Sequence, residues 1–110
     1  MEVMKISEAR AVEIAPGRKR RILHTANLMM VEIDFEDGPS AKPDPPHAHP
    51  HEQVTFVAAG ELLFFIGDES CRLGPGDMVA VGSSLPHTIQ LLTERVCLVD
   101  TFTPIRQEFL

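Results

Sequence analysis

A chain of 110 residues has the length of one domain and is long enough to bury roughly two thirds of its unfolded surface. Its 44% hydrophobic and 24% charged residues match a soluble globular protein, and no apolar run approaches the roughly 20 residues of a membrane helix. A formal charge of −6 argues against a protein that tracks nucleic-acid phosphates with dense Lys and Arg contacts. The opening MEVMKISEAR lacks the apolar stretch of a signal peptide, so the expected location is the cytoplasm and the expected partners are neither nucleic acid nor membrane.

No long segment repeats apolar residues at helical spacing. Short apolar runs recur between Gly, Pro and Asp about every eight to twelve residues, as in an all-β sandwich or barrel. The first twenty residues are uninformative, although they could extend a partner's sheet. RKRR at 18–21 reads as a solvated turn or strand edge. LMMVEIDF then alternates Val31, Ile33 and Phe35 against Glu32 and Asp34, a strand with one wet face. EDGPSAKPDPP holds four of the nine prolines and predicts an extended loop, because Pro fixes φ and donates no backbone hydrogen bond.

Beyond the loop the expected strands are QVTFVAA, ELLFFIG, CRL, DMVAVG, HTIQLL and RVCLVDTF, for about seven or eight in all. AAGELLFFIGDE reads as a hairpin followed by a turn, and LGPGDMVAV as a tight turn launching a buried strand. RQEFL carries a weak helical signal. Cys71 and Cys97, each in an apolar run, read as reduced, packed thiols rather than a disulfide framework.

PHAHPHEQ, residues 46–53, carries the chemistry. In an extended strand side chains alternate faces, so His47, His49, His51 and Gln53 share one parity and Glu52 takes the other. Imidazoles two apart can converge on a metal, and a further ligand should come from elsewhere. His87, which follows Pro86 at the mouth of a predicted strand, is the natural donor. His51 remains a possible ligand, although only three or four protein ligands are wanted if a coordination position is to stay open for substrate. Asp100 shares the parity of Val96 and Leu98, which points its carboxylate along an apolar lane toward the same mouth and suits it to general acid–base work.

These residues resemble the single-domain cupins. Their first motif, His-x-His, three or four residues, Glu, six residues, Gly, is met by His47, His49, Gln53 and Gly60, with Gln in the acid's place. Their second motif is met by Gly76 and His87, but Gly82 stands where the motif has Pro and Ser84 where it has Gly. The resemblance implies one domain over residues 1–110, with its core at about 20–104, folded as a double-stranded β-helix or small jelly-roll barrel. HAHPHEQ together with the tail DTFTPIRQEFL is further similar to the cupins of pectin and alginate catabolism that linearise 4,5-unsaturated monouronates.

That likeness implies one divalent metal held by His47, His49, Gln53 and His87, with Zn, Ni, Fe, Co and Mn all compatible with the donors. It also implies a pocket lined by Asp100, Phe102 and Arg106. Asp100 and Arg106 would be catalytic, Phe102 and Arg106 would bind substrate, the ligand would be an anionic sugar acid, and two copies would form a homodimer. Two other readings of the same fold are a non-catalytic, metal-dependent sugar-acid binding module and a cupin dioxygenase.

Overall fold

The computed structural model describes residues 1–8 and 10–110. Among them are nine strands: β1 (Val12–Ala15), β2 (Arg18–His24), β3 (Met29–Phe35), β4 (Glu52–Ala59), β5 (Leu62–Ile66), β6 (Glu69–Leu73), β7 (Met78–Val81), β8 (His87–Leu91) and β9 (Val96–Thr103). They form a six-stranded sheet in the order β1-β2-β3-β9-β4-β7 and a three-stranded sheet in the order β6-β5-β8, all neighbours antiparallel. The two sheets make the expected small jelly roll. The proline-rich segment lies along the free side of β8, where Ser40 N donates to Leu91 O, Asp44 N to Ile89 O and His47 N to His87 O. It is an extended, strand-like rim on the smaller sheet. No helix among the described residues is long and apolar enough to cross a membrane.

Alternation decides what lies inside. On β4, Gln53, Thr55 and Val57 face in, and on β9, Val96, Leu98, Asp100 and Phe102 do the same. Phe35, Val57, Leu62, Phe64, Leu91, Val96 and Leu98 make the main core between the sheets, and a smaller cluster gathers Met29, Val31 and Phe102. Each such side chain, removed from water, contributes roughly 1.5–3 kcal/mol. Between these apolar groups the inner faces of β4 and β9 turn polar, and there the site is built.

Several sequence expectations are corrected. RKRR is neither turn nor edge: it opens β2, an interior strand between β1 and β3, and its inward residues are half-buried. Residues 12–15 complete the chain's own sheet as β1, a strand the sparse N-terminal patterning did not reveal. AAGELLFFIGDE holds no β4–β5 hairpin, since β4 pairs with β7 and β9 while β5 pairs with β6 and β8.

The chain crosses between sheets at Gly60, whose φ is +78° and whose missing Cβ would lie 2.1 Å from Arg95 O. Only glycine fits that crossing. The true hairpin, β5–β6, turns at Gly67 and Asp68. The Gly-Pro-Gly-Asp turn stands as expected, with Asp77 N donating to Gly74 O, but it launches an edge strand whose Met78 is exposed rather than a buried one. Cys97 is buried, whereas Cys71 lies exposed on edge strand β6; both are free. RQEFL closes as a single 3-10 turn, Gln107–Phe109.

Candidate metal centre and its cavity

The β4–β9 ladder sets three inward rungs: Val57 opposite Leu98, Thr55 opposite Asp100, and Gln53 opposite Phe102. Side chains directly opposite in an antiparallel pair lie close enough to interact. The Thr55 hydroxyl donates to Asp100 Oδ1 at 2.6 Å, and Gln53 Nε2 donates to Thr55 Oγ1 at 2.8 Å. With its one proton given to the acid, Thr55 can only accept from Gln53. The amide nitrogen of Gln53 is thereby fixed, and its Oε1 is aimed at the histidines, 3.1 Å from His49 Nε2.

His47 and His87 exchange backbone hydrogen bonds in an isolated bridge, His47 N to His87 O at 3.0 Å and His87 N to His47 O at 2.9 Å. Their ring centroids are 4.3 Å apart, and His49 lies 4.9 Å from His87 and 5.7 Å from His47. One ring nitrogen from each of the three falls within 4.8 Å of the other two.

The protonation pattern tests whether a cation fits. His49 Nδ1 lies 3.0 Å from His51 O, and His87 Nδ1 lies 2.8 Å from Leu85 O. A carbonyl can only accept, so Nδ1 carries the proton in each ring and Nε2 presents a lone pair. His87 Nε2 is buried with no hydrogen-bond partner among the described residues. In neutral His49 the Nε2 lone pair faces another acceptor, Gln53 Oε1. A divalent metal between these atoms satisfies both, and the residues fit one.

Electrostatics favour the same state. Burial, reinforced by the mutual repulsion of the rings and by Arg106, pushes the His47 pKa down to about 4. Burial and then Arg106 lower that of His49 as well. Neutral imidazoles are the form a metal requires.

The regular alternation expected through His51 fails. The backbone bends at Pro50 and His51 before β4 begins, and His51 Nε2 turns to the carbonyl of Ile105 at 3.2 Å, so this ring ties down the tail and stands outside the histidine triplet. Glu52 is exposed, as alternation predicts. Ser84, in the position the motif gives to Gly, has φ +62° and uses its N–H on His49 O at 2.7 Å. A non-glycine residue in that region is strained by about 1–3 kcal/mol, and the loop contacts hold it there.

A cavity of about 620 Å³ opens beside the triplet, within the usual range for a small-molecule site. His47, Gln53, His87, Asp100, Phe102 and Arg106 all line it, so of the residues the family resemblance assigns to the site only the buried His49 does not reach its wall. Burial pushes the Asp100 carboxyl up to about 6, against the opposing pull of the Thr55 hydrogen bond and of Arg106. Phe102 is buried, edge-on to His49. Arg106 lies with its guanidinium over Phe102 at 5.2 Å and Phe109 at 4.1 Å, and its Nε donates to Glu108.

Sequence reasoning missed Thr55, which reads as an ordinary strand residue but lies two positions from Gln53 on the same face. It also missed Arg18, Asp37, Asp44 and Phe109 on the cavity wall. Arg18 shares the inward parity of Arg20 and Ile22, a signal hidden by the uniform charge of RKRR.

The profile of the Cupin domain family matches residues 33–102. The chain is 36% identical over 100 residues to the pectin degradation protein KdgF of Dickeya dadantii, covering 89% of this chain and 88% of that protein. The structure of KdgF from a Halomonas species superposes with a TM-score of 0.89 at 29% identity, covering 99% of this chain and all of that one. An RmlC-like cupin from Shewanella frigidimarina does so with a TM-score of 0.89 at 31% identity, covering 100% and 96% of the two chains. The match across residues 33–102, and the identity maintained over most of both chains, make this protein a member of the cupin family, closely related to the KdgF proteins.

Proposed function

We propose that the protein is a metal-dependent enzyme of pectin degradation that converts 4,5-unsaturated monouronates to linear 5-keto-4-deoxyuronates. The observation that carries this reading is the meeting, around one cavity, of His47, His49, His87 and Gln53 with a buried acid, Asp100, and a cation, Arg106. The name of the Dickeya relative supports the pathway. The metal ligands are His47, His49, Gln53 and His87, and the bound ion, whichever divalent transition metal it is, supplies Lewis-acid polarisation of a substrate oxygen.

The reaction is an isomerisation, with no net gain of water, oxygen or electrons. The ring C1–O5 bond breaks as the C1 hydroxyl loses its proton and O5 takes one up, leaving an aldehyde at C1 and an enol at C5. Proton delivery to C4, with loss of the enol O–H proton, then gives a methylene there and a ketone at C5. Asp100 moves these protons in this reading, because a carboxyl whose pKa is raised to about 6 both accepts and donates around neutrality. Arg106 grips the substrate carboxylate, with Phe102 forming the apolar wall behind it. A neutral amide at Gln53, in place of an acid, leaves the ion its full positive charge and favours an anionic ligand.

The test is incubation of the metal-loaded protein with an unsaturated galacturonate, following loss of its ultraviolet absorbance and the appearance of the C4 methylene by NMR. Decay at the rate of buffer alone would overturn the proposal; acceleration that requires oxygen would move it to dioxygenase chemistry. Pairing of two copies belongs to the same proposal, through the outer face of the larger sheet, where Leu23, Met30, Val54, Phe56 and Met78 are exposed. A one-chain mass by light scattering would remove it.

A further inference from the structure

A second charged cluster stands on the cavity wall. Arg18 Nε donates to Asp37 Oδ2 at 2.9 Å, while its Nη1 and Nη2 donate to the two oxygens of Asp44 at 2.7 and 3.2 Å. The guanidinium lies over the Phe35 ring at 4.9 Å, which fixes it to the inner surface of the sheet. All three charged residues line the cavity that Asp100 and Arg106 line.

The hydrogen bonds leave much of this cluster unused. A guanidinium has five N–H donors, of which these bonds take three. The carboxylates keep free lone pairs and are each one-third exposed, so an incoming group can reach them. A surface of spare donors beside spare acceptors matches hydroxyl groups, which give one hydrogen bond and take others.

Charge sets the orientation. One guanidinium against two carboxylates leaves the Arg18 cluster net negative, while the other region holds Arg106 and the neutral histidines that would carry a divalent cation. Register separates them: Arg18 lies opposite Phe35 and Asp100 opposite Val31, four residues apart along β3, or about 13 Å. A carboxylate is repelled from the first region and drawn to the second.

We propose that Arg18, Asp37 and Asp44 form a hydroxyl-reading end of the cavity. Its ligand is a polyhydroxylated carboxylic acid held with its carboxylate toward Arg106 and its hydroxyls toward Asp37 and Asp44. This rests on the placement of Arg106 in the function proposed above. It adds the residues that distinguish a sugar acid from any other small acid.

The experiment is calorimetric titration of the metal-loaded chain with galacturonate and with cyclohexanecarboxylate, an acid of equal charge and ring size without hydroxyls. The wild type is expected to prefer galacturonate by about tenfold or more, as for charged hydrogen-bond partners left unmatched by the wrong ligand. The Asp37→Asn/Asp44→Asn variant is expected to lose most of that preference at unchanged affinity for cyclohexanecarboxylate. Arg106→Ala is expected to weaken both probes. Should the double variant not fold, Asp37→Asn alone is expected to lower the preference severalfold.

Equal wild-type affinities for the two probes, or a folded variant that keeps the full preference, would overturn the inference. Preference without turnover of an unsaturated uronate would overturn the proposed reaction and leave the hydroxyl-reading end standing. Turnover with KM unaltered by the Asn substitutions would do the reverse.

Discussion

The Thr55 hydroxyl gives its only proton to the Asp100 carboxylate across 2.6 Å, and so obliges the Gln53 amide to present its nitrogen to Thr55 and its oxygen to the histidines. One rung of the β4–β9 ladder thus orients the proposed metal donor and a buried acid together. Replacing Thr55 with Val keeps the shape and removes both hydrogen bonds. Metal affinity is expected to fall about 10- to 100-fold, the usual loss when a partner behind a ligand is removed. Thr55→Ser should restore it. Titration with a competing chelator reads both, and a Val variant with wild-type affinity would show that Gln53 needs no such orientation.

Asp100→Asn is expected to stabilise the fold while abolishing turnover. Burial raises this carboxyl from 3.8 to about 6, so between those values the folded chain holds a proton that the unfolded chain has released. Stability therefore falls as pH rises through that window, and at neutral pH the folded state carries the whole penalty of roughly 2–3 kcal/mol. An isosteric amide removes it and still accepts from Thr55. Thermal melts should show a Tm raised by roughly 10 °C at pH 7.5, with the difference gone near pH 4. A lower Tm at pH 7.5 would mean that the acid is stabilised in its ionised form.

His47→Ala/His49→Ala is expected to retain its sheet structure by circular dichroism and to lose its metal by elemental analysis. In the wild type, metal at 100-fold excess over its Kd should add about 2.7 kcal/mol to stability, and stripping with chelator should reverse it. A double variant with undiminished metal content would refute the site.

Protonation of His47 is expected to compete with metal only on approach to pH 4. Protons compete for a ligand as pH nears its pKa, and burial holds that of His47 near 4 rather than 6.5. In the metal-free protein the same depression means that the unfolded chain takes up a proton the folded one refuses, so stability should decline as pH drops from 6.5 toward 4. A His47 ring that titrates near 6.5 by NMR in the metal-free protein would contradict this.

How far the sequence reveals the site depends on how local the determinants are. His47, His49, Gln53 and Asp100 are legible because alternation and a spaced motif survive in one dimension. Most strands from β3 onward are legible for the same reason. His51 escaped because the bend at Pro50 breaks the alternation, and Gly60 because a sheet crossing and a hairpin use the same glycine turn. Arg18 escaped because its inward direction depends on its partner Phe35 in the neighbouring strand, and Thr55 because its role lies in two hydrogen bonds rather than in its type.

The reciprocal backbone pair between His47 and His87 has a kinetic consequence. Two distant stretches of chain are already clipped together when the barrel closes, so their rings meet before any ion arrives. Capture then needs only the shedding of water from the ion and small ring adjustments. Loading of the folded protein should accordingly be a single fast phase, with little change in heat capacity.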